Sequence, residues 1–289
     1  MRRLKTAILG IAAGLFLTQA PPATAQSDDE GPMSAATFKG MTLRNIGPAF
    51  TAGRIADIAI HPDDTSVWYV GVGSGGVWKT ENNGTTWTPL FDDQPVYSIG
   101  AVTLDPTNPN TVWVGTGENG GGRHVGVGDG IYRSNDGGAS WTNMGLEDSE
   151  HISRIIVHPD DPDTVWVAAQ GPLWSEGGQR GLYKTTDGGE TWNNMLSAGP
   201  WTGVTALEMD PRNPDRLYAA TWQRHRTVVA YMGGGPETAI YRSDDGGETW
   251  TELKKGLPEG YMGKIGLAIS PQRPDIVYAA IELNRRTGG

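Results

Sequence analysis

Thr185-Thr-Asp-Gly-Gly-Glu-Thr-Trp192 is one of four copies of an eight-residue stretch. The others are Thr80-Glu-Asn-Asn-Gly-Thr-Thr-Trp87, Ser134-Asn-Asp-Gly-Gly-Ala-Ser-Trp141 and Ser243-Asp-Asp-Gly-Gly-Glu-Thr-Trp250. Their tryptophans stand 54, 51 and 58 residues apart. Self-similarity at a period of roughly 50 residues marks stacked supersecondary units, each unable to bury its apolar face alone. The carboxylate of Asp136, Asp187 or Asp245 can accept backbone N–H bonds and close a turn, and Asn82 in the first copy keeps the acceptor without the charge. The glycines that follow allow positive φ. Trp87, Trp141, Trp192 and Trp250 bring a large apolar area to pack between units. Local bonding accounts for every residue of the stretch, so these carboxylates are read as structural.

Each repeat carries four short strand patterns. The first ends at a proline turn: His61-Pro62, Asp105-Pro106, His158-Pro159, Asp210-Pro211 and Ser270-Pro271. The second holds an aromatic in every copy, namely Trp68, Trp113, Trp166, Tyr218 and Tyr278. The third reads aromatic, basic, hydroxyl, as in Tyr183-Lys-Thr185 and Tyr241-Arg-Ser243, and the eight-residue turn and a fourth strand follow. β-branched and aromatic runs punctuated by Gly, Asp and Pro read as antiparallel strands. A four-stranded unit repeated around an axis is a propeller blade.

The pattern Ser/Thr-x-Asp-x-Gly-x-Thr-Trp resembles the Asp-box, or BNR repeat. Over nearly all of residues 44–289 the chain looks like the Asp-box β-propellers: sortilin-type ectodomains, photosystem II assembly factors, xyloglucanases and sialidases. The fold expected is an all-β Asp-box propeller of four-stranded antiparallel blades, about four and a half of them present. The blades are expected at about 54–91, 98–146, 151–197 and 203–257, with an incomplete one at 263–289. Ile265–Ile269 and Ile276–Ile281 supply two strands of that last blade, and Leu43-Arg-Asn-Ile-Gly47 reads as an outer strand that closes the ring. The chain is therefore expected to be a piece of a larger propeller protein.

Residues 1–25 read as a signal peptide, with basic Arg2, Arg3 and Lys5, an apolar run Ala7 to Leu17 and small residues at Ala23-Thr-Ala25. Residues 26–42 read as a flexible lead-in. The expected location is the periplasm or the outside of the cell. No later segment is long and apolar enough for a membrane helix. Removing the leader leaves 20 Lys and Arg against 33 Asp and Glu, a charge of −13, which argues against nucleic acid and anionic membranes as partners. With no cysteine, disulfides and thiol chemistry are excluded. The histidines show no metal-ligand spacing, and neither a metal nor a cofactor is expected.

Strand alternation puts the proline turns and the eight-residue turns on one face. The irregular insertions, 118–129, 171–180 and 223–237, fall on the other, where loops on a rigid scaffold carry binding or simply pack over their neighbours. Eight of the eleven tryptophans fall in repeat columns; Trp174, Trp201 and Trp222 map to the insertion face. They could stack on sugar rings, anchor a protein partner or form a small satellite core. Arg54 and His151 share a position at the channel mouth and, with Arg123 and His124 in a nearby loop, could hold an anionic group. Asp57, Arg154 and Glu208 line the axis in columns otherwise small or apolar, and Asp57 is placed to pair with Arg154.

The resemblance offers two catalytic readings. A xyloglucanase-type hydrolase needs two carboxylates, and the family's catalytic Asp falls at Gly73 here. A sialidase-type motif is met only in part by Gly53-Arg-Ile-Ala56, where Arg54 alone carries over. No catalytic residue is assigned. Glu118, Asp129, Glu176 and Glu237 are loop carboxylates without motif support. The reading preferred is a non-catalytic scaffold that binds a protein, a peptide or a glycan. The alternative is a glycoside hydrolase with carboxylates partly outside this chain.

Overall fold

The computed structural model describes Gly40 and residues 53–283. The chain divides into two units, Met1–Asn45 and Ile46–Gly289, and the strands of the described residues fall in the second. The expected leader, lead-in and Leu43–Gly47 strand lie outside the described residues.

Four antiparallel four-stranded sheets follow one another along the chain. The first is β1 (Ile55–Ile60), β2 (Trp68–Val72), β3 (Gly76–Thr80) and β4 (Thr88–Pro89). The second is β5 (Ile99–Leu104), β6 (Val112–Thr116), β7 (Ile131–Ser134) and β8 (Thr142–Asn143). The third is β9 (Ile152–Val157), β10 (Val165–Ala169), β11 (Gly181–Thr185) and β12 (Asn193–Leu196). The fourth begins with β13 (Thr202–Asp210) and β14 (Asn213–Gln223). A hairpin of β15 (His225–Arg226) and β16 (Tyr231–Met232) interrupts it before β17 (Ile240–Ser243) and β18 (Thr251–Leu253) complete the sheet. A two-stranded sheet, β19 (Met262–Ile269) and β20 (Val277–Leu283), ends the described chain. Consecutive strands pair in order within each sheet, which is the up-and-down meander of a propeller blade.

The eight-residue turns behave as their residues require. In the third, Asp187 Oδ1 accepts the Thr191 amide at 2.9 Å while the Thr185 hydroxyl donates to the same oxygen at 2.6 Å. Gly188 and Gly189 adopt φ of 71° and 96°, which a side chain would resist. In the first turn Asn82 Oδ1 accepts the Thr86 amide at the same 2.9 Å.

The core lies between blades. The inner-strand residues Val102, Ile155 and Leu207 are buried, and so are the second-strand aromatics Tyr69, Trp113 and Trp166. Two of the turn tryptophans reach back to the preceding blade: Trp141 Nε1 donates to the Leu90 carbonyl and Trp192 Nε1 to the Met144 carbonyl, both at 2.8 Å. Truncating one of the fully buried aromatics, Trp113 or Trp166, to alanine costs about 3–5 kcal/mol. Ile58 shares the column of Val102 but is half exposed, because no described blade covers that side of the first sheet.

Along the axis, polar side chains stitch inner strand to inner strand. Asp57 Oδ2 accepts the Val102 amide at 3.1 Å, the Thr103 hydroxyl donates to Ile155 O at 3.2 Å, and the Ser153 hydroxyl to Val204 O at 2.9 Å. Arg154 lies 3.7 Å from Glu208 of the next blade. The expected pairing of Asp57 with Arg154 is thus corrected. Asp57 is spent on the neighbouring backbone, and Glu208, one strand further round, supplies the guanidinium's carboxylate. Burial raises the Glu208 carboxyl and the nearby Arg154 opposes the shift.

Candidate functional site

Three insertions, one from each of the second, third and fourth blades, interlock on one face. The tie is the buried Arg224, which follows β14. Its guanidinium donates to Gly120 O in the second blade's insertion and to Gly171 O in the third's, the latter at 2.9 Å. Arg226, at the start of the hairpin, holds Gly121 O at 2.8 Å, and Arg123 reaches back to Val228 O at 3.0 Å. Arg180 ties the third insertion to itself through the carbonyls of Gln170, Pro172, Ser175 and Gly177. Charge-assisted bonds to loop carbonyls satisfy backbone groups that no strand can reach. Burial pushes both the Arg224 and Arg180 guanidinium groups toward easier deprotonation, but an arginine keeps its proton in a folded protein.

This lock frames a concavity of about 410 Å³ beside the inner-strand starts. Arg54, Glu118, His124 and Lys264 supply its charged and titratable groups. Glu118 is buried and takes an ion pair from Arg54, with the Arg54 Nε donating at 2.6 Å. Its carboxylate fills the space over Gly73: a Cβ built there would stand 2.5 Å from Glu118 Oε1. Lys264, from β19, donates through Nζ to Asn119 O at 2.9 Å and to Asn119 Oδ1 at 2.7 Å, and sits 5.2 Å from the Trp222 ring centre. Burial, helped by the charge of Arg224, lowers the Lys264 ammonium to about 8.

The residues expected at the site separate accordingly. Arg54 and His124 line the concavity. Arg123 is exposed at its rim and spent on the hairpin backbone. His151 is brought beside Glu118, its Nδ1 lying 3.0 Å from the Glu118 carbonyl, but it is only 1% exposed. Burial and then Arg224 lower it to about 3, so it stays neutral and cannot hold an anion, which corrects that expectation. Of the three spare tryptophans, Trp222 is buried under Arg224 and Lys264 with its Nε1 on Gly233 O, and it offers no stacking face. Trp201 stacks on His225 with ring centres 3.9 Å apart and carries Arg180 at 5.8 Å. Trp174 alone is substantially exposed, at 46%.

The other loop carboxylates do not line the concavity. Asp129 accepts the Tyr132 hydroxyl at 2.8 Å, Glu237 accepts the Thr202 hydroxyl, and Glu176 is exposed. The concavity contains one carboxylate, Glu118, among its lining residues. Among the described residues no group of three or more His, Cys, Asp or Glu is placed to hold a metal ion, and no helix is long and apolar enough to cross a membrane.

Strand order and the stitching of blade to blade define a β-propeller built of four-stranded antiparallel blades. The Sortilin-Vps10 family, described as sortilin, neurotensin receptor 3, matches residues 129–281, and the chain belongs to that family. It is also similar to a xyloglucanase of Paenibacillus sp., 26% identical over 262 residues, covering 81% of this chain and 24% of that protein. The photosystem II assembly lipoprotein Ycf48 of Synechococcus sp. (strain CC9902) is 29% identical over 122 residues, 42% of this chain and 29% of that one. Among solved structures, a GH74 enzyme of Niastella koreensis superposes with a TM-score of 0.56 at 24% identity, covering 78% of this chain and 34% of that one. That likeness shows the fold. The chain spans about a quarter of the length of the curated xyloglucanases it matches.

Proposed function

We propose that the protein is an exported, non-catalytic propeller that holds a protein, peptide or glycan ligand on its insertion face, in the periplasm or outside the cell. The observation that carries this reading is the Arg224 lock, which fixes loops of three blades into one surface before any ligand arrives. Preorganisation of that kind lowers the ordering cost of binding. The concavity beneath offers Arg54, His124 and Lys264 against one carboxylate, so it favours an anionic group on the ligand even though the chain carries a formal charge of −10. Its single carboxylate, already ion-paired, lacks the partner that glycoside hydrolysis requires at about 5–10 Å. Neither nucleic acid nor a membrane is proposed as a partner.

A second reading, a glycoside hydrolase whose carboxylates lie partly outside this chain, is favoured by the similarity to xyloglucanases over 81% of the sequence. One experiment separates the two. A panel of polysaccharides and peptides is scored together for binding and for released reducing sugar. Binding without cleavage, weakened by Arg54→Ala or Trp174→Ala, supports the scaffold. Reducing sugar released from a β-glucan by the natural protein overturns it.

A further inference from the structure

A second concavity, of about 500 Å³, opens where the β15–β16 hairpin meets the start of β19 and the end of β20. Tyr231, Met232, Tyr261 and Leu283 border it, all substantially exposed, at 41–61%. Four large apolar or aromatic side chains left in solvent around one hollow are a binding signature rather than ordinary surface scatter. The floor is backbone. A Cβ on Gly234 would meet the Met262 carbonyl at 2.4 Å, and one on Gly263 would meet both Glu282 Oε2 at 2.8 Å and Gly233 O at 2.9 Å. These positions admit no side chain, which keeps the hollow open.

The charge in this hollow is a carboxylate, Glu282. Its hydrogen-bond donor is the Lys264 backbone amide at 3.3 Å, and among the described residues no Lys, Arg or His side chain forms an ion pair with it. The Tyr231 ring already accepts a guanidinium: Arg226 lies 4.4 Å from its centre while its N–H groups are spent on Gly121 O. A carboxylate with no ion-pair partner among the described residues, set beside tyrosine rings, attracts a cation, since the ring faces are negative and the carboxylate neutralises the head group. Met232 and Leu283 suit the aliphatic stem that carries such a head. A neutral ligand would leave Glu282 unused, and an anionic one would be repelled.

We propose that this hollow receives a lysine or arginine side chain presented by a peptide or protein partner, with Glu282 facing the cationic head and Tyr231 and Tyr261 flanking it. The acidic chain, of formal charge −10, adds long-range attraction for a basic partner. The site does not depend on the Arg54 concavity and stands whether or not that one binds a ligand. The two share a wall, since Met262 and Gly263 line one and Lys264 the other.

The test uses a fluorescent, end-blocked peptide of alternating lysine and glycine, with arginine, norleucine and glutamate versions, read by anisotropy at low salt. The lysine and arginine peptides bind; the norleucine and glutamate peptides do not. Glu282→Gln and Tyr261→Ala each weaken the lysine peptide about tenfold, while Glu252→Gln, an equal change in net charge on the exposed face of β18, leaves it unchanged. Circular dichroism checks that each variant is folded, and Tyr261, at 61% exposure, is a side chain whose loss the fold tolerates. Equal weakening by Glu282→Gln and Glu252→Gln would assign the attraction to net charge alone and overturn the proposal. So would equal affinity for the norleucine peptide, or no binding by any of the four.

Discussion

The hydroxyl of Tyr69, on the second strand of the first blade, donates at 3.1 Å to the carbonyl of Gly137, inside the eight-residue turn of the second blade. Trp166 does the same two interfaces further on, its Nε1 donating to Gly246 O at 3.1 Å. At the interface between them the corresponding carbonyl, Gly188 O, is taken at 3.1 Å by Arg133, and the Trp113 Nε1 is buried without a partner. One geometric slot is therefore filled by an aromatic donor twice and by a basic donor once. The repeat of aromatic in the second strand and basic residue in the third is a grip on the next blade's turn.

That grip predicts unequal costs for equal substitutions. Trp166→Phe and Trp113→Phe delete the same atoms from fully buried sites, but only the first breaks a hydrogen bond. Trp166→Phe should be the more destabilising by about 1 kcal/mol, and Tyr69→Phe should itself cost about 1 kcal/mol. Urea unfolding midpoints measure both. Equal losses for the two tryptophans would remove the Gly246 bond from the account.

The turn carboxylates predict an acid limb. Hydrogen bonds hold Asp136, Asp187 and Asp245 down to about 2, led by the hydroxyls of Ser140, Thr185 and Thr249 respectively. Their folded values lie below the ordinary 3.8, so the unfolded chain binds more protons as the pH falls. The stability they contribute is present above about pH 4 and is lost on going down through pH 2. Asn82 shows that an amide fits the same turn, donating to the Thr86 hydroxyl at 2.8 Å where the aspartates accept. Asp136→Asn, Asp187→Asn and Asp245→Asn should each fold, and together they should flatten the loss of stability between pH 4 and 2. An unchanged acid limb in the triple variant would assign acid unfolding to other carboxylates.

How far the sequence reveals all this follows from what repeats. The propeller, the turn bonds and the interblade tryptophans recur in register, so comparing copies exposes them. The site sits in what does not recur. Arg224 and Arg180 lie inside insertions that have no counterpart in other blades, and only the folded contacts show that they bind carbonyls rather than a ligand. Trp222 and His151 carry functional residue types but are buried by neighbours distant in sequence. Lys264 did leave a signal: counted back from the proline turns, it occupies the column of Ile55, Ile99, Ile152 and Val204. A lone basic residue in an apolar column marks a side chain turned to another purpose.

Arg224 should control the order of the insertion face. Arg224→Met keeps the bulk and removes the donors to Gly120 O and Gly171 O. Hydrogen bonds from a charged donor contribute about 1.5–3 kcal/mol each, and some of that returns because a buried charge is also removed, so a net loss of about 2–3 kcal/mol is expected. Amide exchange at Gly120, Gly121 and Gly122 should accelerate while β5, β6 and β9 stay protected. Uniform acceleration across the sheets would mean that Arg224 supports the fold and not the loops in particular.

Lys264 predicts two opposite trends in alkaline solution. Burial and Arg224 bring its ammonium to about 8 from the ordinary 10.5, so between these values the unfolded chain holds the extra proton. Stability should then rise with pH across that window, by on the order of 2 kcal/mol from pH 8 to 10. The same deprotonation removes a positive charge from the Arg54 concavity, so an anionic ligand held there should weaken as the pH passes 8. Lys264→Met should abolish both trends, raising stability below pH 8 toward the alkaline value while making ligand affinity low and flat with pH. Chemical unfolding and ligand titration at pH 7, 8, 9 and 10 read the two curves on one protein. A wild type whose stability is flat over that range would show that Lys264 keeps its proton, and would leave its bonds to Asn119 as its whole role.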